Sequence, residues 1–398
     1  MHLPDRSIDR VSMSIDYRFR SVADKFFRYF ERSAGTGGAL AIRLHGEPVL
    51  DIWAGWAEKG RPWTADTLAL SYSTGKGVVA TIANRLIDRG VLDLDSPVAH
   101  YWPEFAAEGK AEITVGHLLA HRAGLQGIRR LGLEPDELLD HDRLANALAA
   151  SRPDRMRYKA SGYHGLTFGT LVAEIAQRAS GRSLAELIRT ELAEPLGESD
   201  FYFGVPKSQR SRVAPVPPGL HIARVPVDTL AGPLVRWPIA RTPLSAMYTG
   251  WIESTTGEHA YDIVMPSWNG VFSARSLATM YSAIAGGGQV RGRRLFTHET
   301  NRLIVDMPAN SNWDYVLGAG PHWSRGYHRG VVGARISRRA VGHFGFGGSG
   351  GVAIPDLGLS IGFVTNQLGN AAMSVADSRL PRLALLAARA AQVGLLGR

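Results

Sequence analysis

Side-chain periodicity changes twice along this 398-residue chain. GGALAIRLHG and EPVLDIWAGWAE, Gly37 to Glu58, alternate with a period of two and read as two β-strands around a turn at His45-Gly46-Glu47. The same alternation returns only at Ala340 to Gln367, AVGHFGFGGSGGVAIPDLGLSIGFVTNQ. Strands need partners, so two widely separated strand regions predict one sheet assembled from both ends of the chain. Between them the period is helical. Val22–Ala34 already reads as a helix, and in Ser71–Asp88 the residues Val78, Val79, Ile82, Ala83, Leu86 and Ile87 share one face before Gly90 stops it. LTFGTLVAEIAQRASG, LAELIRTELAEPLG and VFSARSLATMYSAIAGGG are helices closed by Gly, and Ser378–Leu396 closes the chain with another. Residues 201–265 are Pro-rich and irregular.

The expected fold class is therefore α/β + α: an antiparallel sheet flanked by terminal helices, with an inserted mostly helical domain. Residues 1–65 and 270–398 form the discontinuous sheet domain and residues 66–269 the helical one. There is no internal repeat.

Composition removes several kinds of chemistry. There is no Cys, which excludes disulfides, thiol nucleophiles and Cys-ligated metals. The 13 His are scattered, with no H-E-x-x-H, and no phosphate-binding G-x-x-x-x-G-K-[ST] is present, so no cofactor or metal is expected. The net charge of +9 is spread out, densest at Arg291–Arg294 and Ile336–Ala340, and reads as solvated surface rather than a nucleic-acid footprint. No apolar stretch reaches membrane-spanning length; the nearest, LALLAARAAQVGLL, is broken by Arg389. The polar start MHLPDRSIDR has no signal-peptide pattern, so a cytoplasmic location is expected.

Lys is scarce, 6 of the 45 basic residues, yet one stands in SYSTGK three positions after Ser73. Arg stays charged at any working pH, whereas Lys can be made to lose its proton. On a helix, residues three apart lie on one face, so the Lys76 amine can reach the Ser73 hydroxyl. The plain alternative is Ser73 as an N-cap. In SGYHGLTFG, Tyr163 precedes an amphipathic helix; it is either a buried aromatic or a general base whose pKa is lowered by nearby cations such as Lys76. Tyr158, beside Lys159, competes with it. GHFGFGGSGG carries a dinucleotide-type Gly345-x-Gly347-x-x-Gly350 and a G-x-S-x-G around Ser349. Both need a helix to follow, and here a strand follows, so neither is favoured. A Gly-rich edge strand instead lets a substrate come close, with His343 placed to point into the cleft. His117 and His121 are four apart in a segment that reads as structural.

STGK, YHG and HFG in this order, with ITVGHLLAHRAGL and WNGVFSARSLATMYSAIAGGG between them, resemble the serine β-lactamase and penicillin-binding protein superfamily, and most of all its class C-related carboxylesterases (the family VIII esterase type). The resemblance runs from roughly residue 20 to residue 370. It implies a site in the cleft between the two domains, with Ser73 as the acylated nucleophile, Lys76 as proton shuttle and Tyr163 as general base toward Ser73 and later water. It implies an oxyanion hole from the backbone N–H groups of Ser73 and Phe346, with His343, Gly345 and Gly165 toward the substrate. His343 and Phe344 replace the Lys and Thr of K-T-G, and Gly165 replaces the Asn of Y-x-N. These departures favour uncharged acyl esters over β-lactams.

The expected function is thus a serine carboxylesterase acting on small to medium acyl esters. The alternatives are a β-lactamase, D-amino-acid peptidase, lactonase or acyltransferase of the same fold, or a non-catalytic binding homologue. Leu230, Trp237, Met247, Tyr248 and Trp251 are candidates for the acyl pocket, and the oligomeric state is left open.

Overall fold

The structure is a computed structural model that describes residues 15–33, 35–154, 160–217, 246, 257–306, 313–329, 332, 336–368 and 377–396. In chain order its strands are β1 (Gly37–Leu44), β2 (Glu47–Glu58), β3 (Arg61–Pro62), β4 (Leu68–Leu70), β5 (Phe201–Phe203), β6 (Val213–Ala214), β7 (Gly270–Phe272), β8 (Gln289–Val290), β9 (Arg293–Arg294), β10 (His328–Arg329), β11 (Val341–Phe344), β12 (Gly350–Ile354) and β13 (Leu359–Thr365).

The main sheet has the order β10-β11-β12-β13-β1-β2-β3, with every neighbouring pair antiparallel. Its central seam pairs β1 with β13 from Gly38↔Thr365 to Leu44↔Leu359, which joins the two ends of the chain. Alternation decides what each face holds. Leu40 and Ile42 of β1, with Leu359, Ile361 and Phe363 of β13, pack against the terminal helices Arg20–Arg28 and Arg379–Leu396 through Val22, Phe26, Leu380 and Leu383. Burial of each such side chain stabilises by about 1.5–3 kcal/mol, far more than a nine-residue helix gains alone.

On the opposite face β12 and β13 present the small residues Gly351, Ser360 and Gly362, and the helix Ala274–Ala285 lies directly on them. A Cβ at Gly362 would stand 2.1 Å from the Ala274 carbonyl oxygen, and one at Gly351 would stand 2.2 Å from the Tyr281 ring. The Ser360 hydroxyl donates to the Ala278 carbonyl at 2.8 Å.

Among the described residues the regular structure of the middle of the chain is mostly helical, as expected. Its helices are short, apart from Thr74–Asp88, His141–Ala150 and Phe168–Ser180. It also contributes β4, β5 and β6 to a second sheet, β5-β7-β4-β6, whose remaining strand β7 starts at the boundary expected near 270. Strands of two or three residues carry no alternation to read. The stretch expected as one helix over Leu184–Gly197 passes through a π-helical turn at Arg189–Ala193. Pro195 has no N–H to give to the carbonyl four residues back, and the turn before it widens. The first helix ends at Arg28, short of the expected Ala34.

The helix Thr74–Asp88 is buried along almost its whole length, between the helix Phe168–Ser180 and β11. Gly90, at φ +70°, follows it. Among the described residues no helix is long and apolar enough to cross a membrane.

Candidate active site

Strand β4 delivers the chain into a tight turn. The Ser71 N–H donates to the Gly270 carbonyl at 2.7 Å, and Tyr72 then adopts φ +47°, a left-handed conformation that a bulky residue holds at a cost of about 1–3 kcal/mol. The Tyr72 ring packs edge-on against Phe346, with centroids 5.5 Å apart. Ser73 follows at the N-cap position of the helix Thr74–Asp88, yet its hydroxyl caps no backbone N–H. The plain N-cap reading of Ser73 is therefore not realised.

Its hydroxyl instead meets Lys76. The Lys76 Nζ donates to Ser73 Oγ at 2.8 Å and to the Ser267 carbonyl at 2.5 Å. Lys76 is fully buried, and desolvation holds its amine well below the ordinary value of 10.5. The Ser267 segment is brought in by Gly169, where a Cβ would stand 2.2 Å from the Ser267 backbone nitrogen.

Tyr163 lies in the loop before the helix Phe168–Ser180, with Lys76 Nζ 5.2 Å from its ring centroid. Burial pushes its phenol well above 10. A hydrogen bond with Ser73 opposes that rise and the Asp314 charge adds to it. This is the reverse of the lowering expected from the sequence, because burial outweighs the other influences on the phenol. Tyr158 and Lys159, and the pocket candidates Leu230, Trp237, Met247, Tyr248 and Trp251, lie outside the described residues.

The third side comes from the turn between β11 and β12. A Cβ at Gly345 would stand 2.0 Å from the Ser71 carbonyl oxygen, so only Gly lets this turn touch the Ser71–Ser73 turn. The Thr74 hydroxyl clamps the same contact by donating to the Ser349 carbonyl at 3.0 Å. Phe346 sits in this turn. His343 lies one layer behind it, 1% exposed, stacked near Trp323 at 5.8 Å and 5.4 Å from His328. Desolvation, then the neighbouring His328 and Lys76, hold its imidazole well below 6.5. Gly165 has room beside it: a Cβ there would meet only Tyr163, at 3.5 Å.

Ser349 immediately precedes β12 and holds the sheet from its edge. Its hydroxyl accepts the Thr365 N–H at 3.1 Å, and β12 rather than a helix follows. Neither the G-x-S-x-G nor the dinucleotide reading has the context it needs.

Sequence reasoning missed a layer of residues behind Tyr163. His121 stacks on Phe168 at 4.5 Å, and its Nδ1 accepts the His164 N–H at 3.1 Å. His164 Nδ1 lies 2.7 Å from the Gly162 carbonyl and Nε2 accepts the Leu125 N–H at 3.0 Å, which fixes a neutral tautomer with the proton on Nδ1. Burial lowers His164 and His328 to about 4. Asp314 and Trp323 complete this layer. YHG hinted at His164, but nothing around Asp314 or Trp323 forms a motif.

Known proteins resemble this chain over most of its length. The beta-lactamase family description matches residues 23–386. The chain belongs to the beta-lactamase family. Within the beta-lactamase family it is 38% identical over 366 residues to the esterase/beta-lactamase LipL of Mycobacterium tuberculosis, covering 90% of this chain and 83% of LipL. The crystal structure of a family VIII carboxylesterase superposes with a TM-score of 0.80 at 33% identity, covering 96% of this chain and 99% of the other. EstA from Arthrobacter nitroguajacolicus Rue61a does so at 0.76 and 27% identity, covering 96% and 98%. The fold is that of the beta-lactamase family, and the chain is a serine hydrolase.

Proposed function

We propose that this serine hydrolase is a carboxylesterase for small to medium acyl esters, working through an acyl-enzyme on Ser73. One observation carries the reading: a buried Lys76 amine, held toward its unprotonated form, 2.8 Å from the Ser73 hydroxyl.

An unprotonated amine has a lone pair to take the Ser73 proton as Oγ attacks the ester carbonyl carbon. The oxyanion that forms is assigned to the backbone N–H groups of Ser73 and Phe346, each worth roughly 3–4 kcal/mol by analogy with other oxyanion holes. Collapse breaks the bond to the alkoxy oxygen, and the proton on Lys76 passes through the Tyr163 hydroxyl to the departing alcohol. Water then attacks the acyl-enzyme, giving its proton back along the same path, and Ser73 is released with the carboxylic acid. In this division Tyr163 relays protons while Lys76 takes the first one, because burial and Asp314 keep the phenol protonated.

The preference for esters rests on charge. Lys76, His121, His328 and His343 are all held toward their neutral forms by burial, so the site offers little positive charge to the carboxylate of a β-lactam. Gly165 also supplies no amide for an acylamino group.

Steady-state kinetics on p-nitrophenyl esters of increasing acyl length, alongside nitrocefin, test this reading. Faster turnover of the short and medium esters is expected. Nitrocefin turnover equal to or above ester turnover would favour the β-lactamase reading, and the absence of any turnover by folded protein would favour a binding protein.

A further inference from the structure

The loop from Trp313 to Trp323 lies outside every sequence motif, yet it is built around Tyr163. Asp314 is fully buried, and its carboxylate is saturated by donors. Oδ1 accepts the backbone N–H groups of Tyr163 at 3.1 Å, Val316 at 2.9 Å and Leu317 at 3.0 Å. Oδ2 accepts the Trp323 indole N–H at 2.7 Å. The indole lies parallel to the Tyr163 ring, at an interplanar angle of 3° and a centroid separation of 5.2 Å. One carboxylate thus fixes both the backbone of Tyr163 and the plane against which its ring rests.

The remaining contacts lock this unit in place. Ser161 bridges to Asp314, and the Tyr315 N–H donates to the Ser161 carbonyl at 3.1 Å. Trp323 is wedged from behind by His121 at 4.2 Å, His343 at 5.8 Å and His328 at 5.9 Å, so it has no room to tilt. Those same imidazoles, Lys76 and the Asp314 carboxylate are titratable groups around the phenol, and burial holds the imidazoles and the amine toward their neutral forms.

We propose that Trp323, anchored by Asp314, is a positioning residue that sets the orientation of the Tyr163 hydroxyl between Ser73 and Lys76. The inference rests on the reading of Tyr163 as the proton relay. A relay hydroxyl has to sit within hydrogen-bond reach of two partners at once, and a phenol pivoting about its Cβ moves its oxygen more than its ring. A flat surface parallel to the ring restrains that pivot without touching the hydroxyl or the substrate. Misplacement by about 1 Å is enough to lower a rate by about 100-fold.

The test is a double-mutant cycle on p-nitrophenyl butyrate hydrolysis, using Tyr163→Phe, Trp323→Phe, Asp314→Asn and the corresponding double variants of the full chain. Near-ultraviolet circular dichroism identifies the variants that remain folded. Trp323→Phe keeps an apolar ring but loses the tether, and Asp314→Asn removes the acceptor charge, so either variant carries the test if the other fails to fold. Each is expected to lower kcat by about 10- to 100-fold with KM nearly unchanged. In the Tyr163→Phe background neither is expected to lower kcat further.

Losses that multiply with that of Tyr163→Phe would overturn the inference, since Trp323 would then act independently of the hydroxyl. A raised KM at unchanged kcat would also overturn it, by making Trp323 a substrate contact. Wild-type kcat in Tyr163→Phe alone would instead sink the relay reading itself, and the inference with it; this outcome is distinct because it appears before Trp323 is touched.

Discussion

Gly345 touches Ser71 so closely that a Cβ on Gly345 would stand 2.0 Å from the Ser71 carbonyl oxygen and 2.9 Å from the Thr74 hydroxyl. This contact closes the β11–β12 turn over the Ser71–Ser73 turn, and it sets where Phe346 lies relative to Ser73. Gly345→Ala should force the two turns apart. The expected result is a loss of about 1–3 kcal/mol in stability and about 100-fold in kcat. Gly165→Ala is the matched control, since its Cβ would make an ordinary 3.5 Å contact with Tyr163. It should change stability by less than about 0.5 kcal/mol. Urea midpoints and ester kinetics on both variants check the pair, and equal effects would contradict the account.

Lys76→Arg separates charge from proton transfer. A guanidinium keeps the positive charge but has no accessible unprotonated form. Loss of the base should cost about 10²–10⁴-fold in kcat, even though the charge is retained. In the wild type the amine must be unprotonated to work, and burial lowers its pKa well below 10.5. Activity should therefore persist at pH values where an ordinary Lys is charged, and fall as pH drops through the lowered value. A pH–rate profile that climbs only near 10.5 would contradict this.

The strands at the two ends and their joining in one sheet were legible because β1, β2, β12 and β13 alternate over five or more residues. The helix Thr74–Asp88 was legible from its apolar face and its Gly stop. The small β5-β7-β4-β6 sheet was not, because its strands are too short to show a period. The contact between Ser73 and Lys76 was legible because the two stand three residues apart at a helix start. The direction in which the Tyr163 phenol moves was hidden, since it depends on burial and on Asp314 151 positions away. Asp314 and Trp323 act through tertiary contacts that leave no spacing in the sequence.

Acid should destabilise the fold through its neutral imidazoles. His164 and His328 are lowered from 6.5 to about 4 by burial, so between those values the unfolded chain binds protons that the folded one refuses. Their contribution is fully present above pH 6.5 and is lost as pH falls toward 4. Each tenfold loss of proton affinity on folding is worth about 1.4 kcal/mol, so the urea midpoint should fall steadily from pH 7 to pH 5. A midpoint that stays level over that range would contradict the burial of these rings.

Ser349→Ala should separate stability from catalysis. The variant leaves the buried Thr365 N–H without its acceptor, at a cost of about 1–3 kcal/mol. The folded fraction should keep most of its ester turnover. A folded Ser349→Ala variant without activity would revive the G-x-S-x-G as a nucleophile.

The most direct test of the central claim is labelling with a fluorophosphonate probe, followed by mass-spectrometric mapping of the modified peptide. The account predicts a single adduct on Ser73, absent in Ser73→Ala and strongly slowed in Lys76→Arg. An adduct on Ser349, or none on protein that is folded and turns over esters, would contradict it.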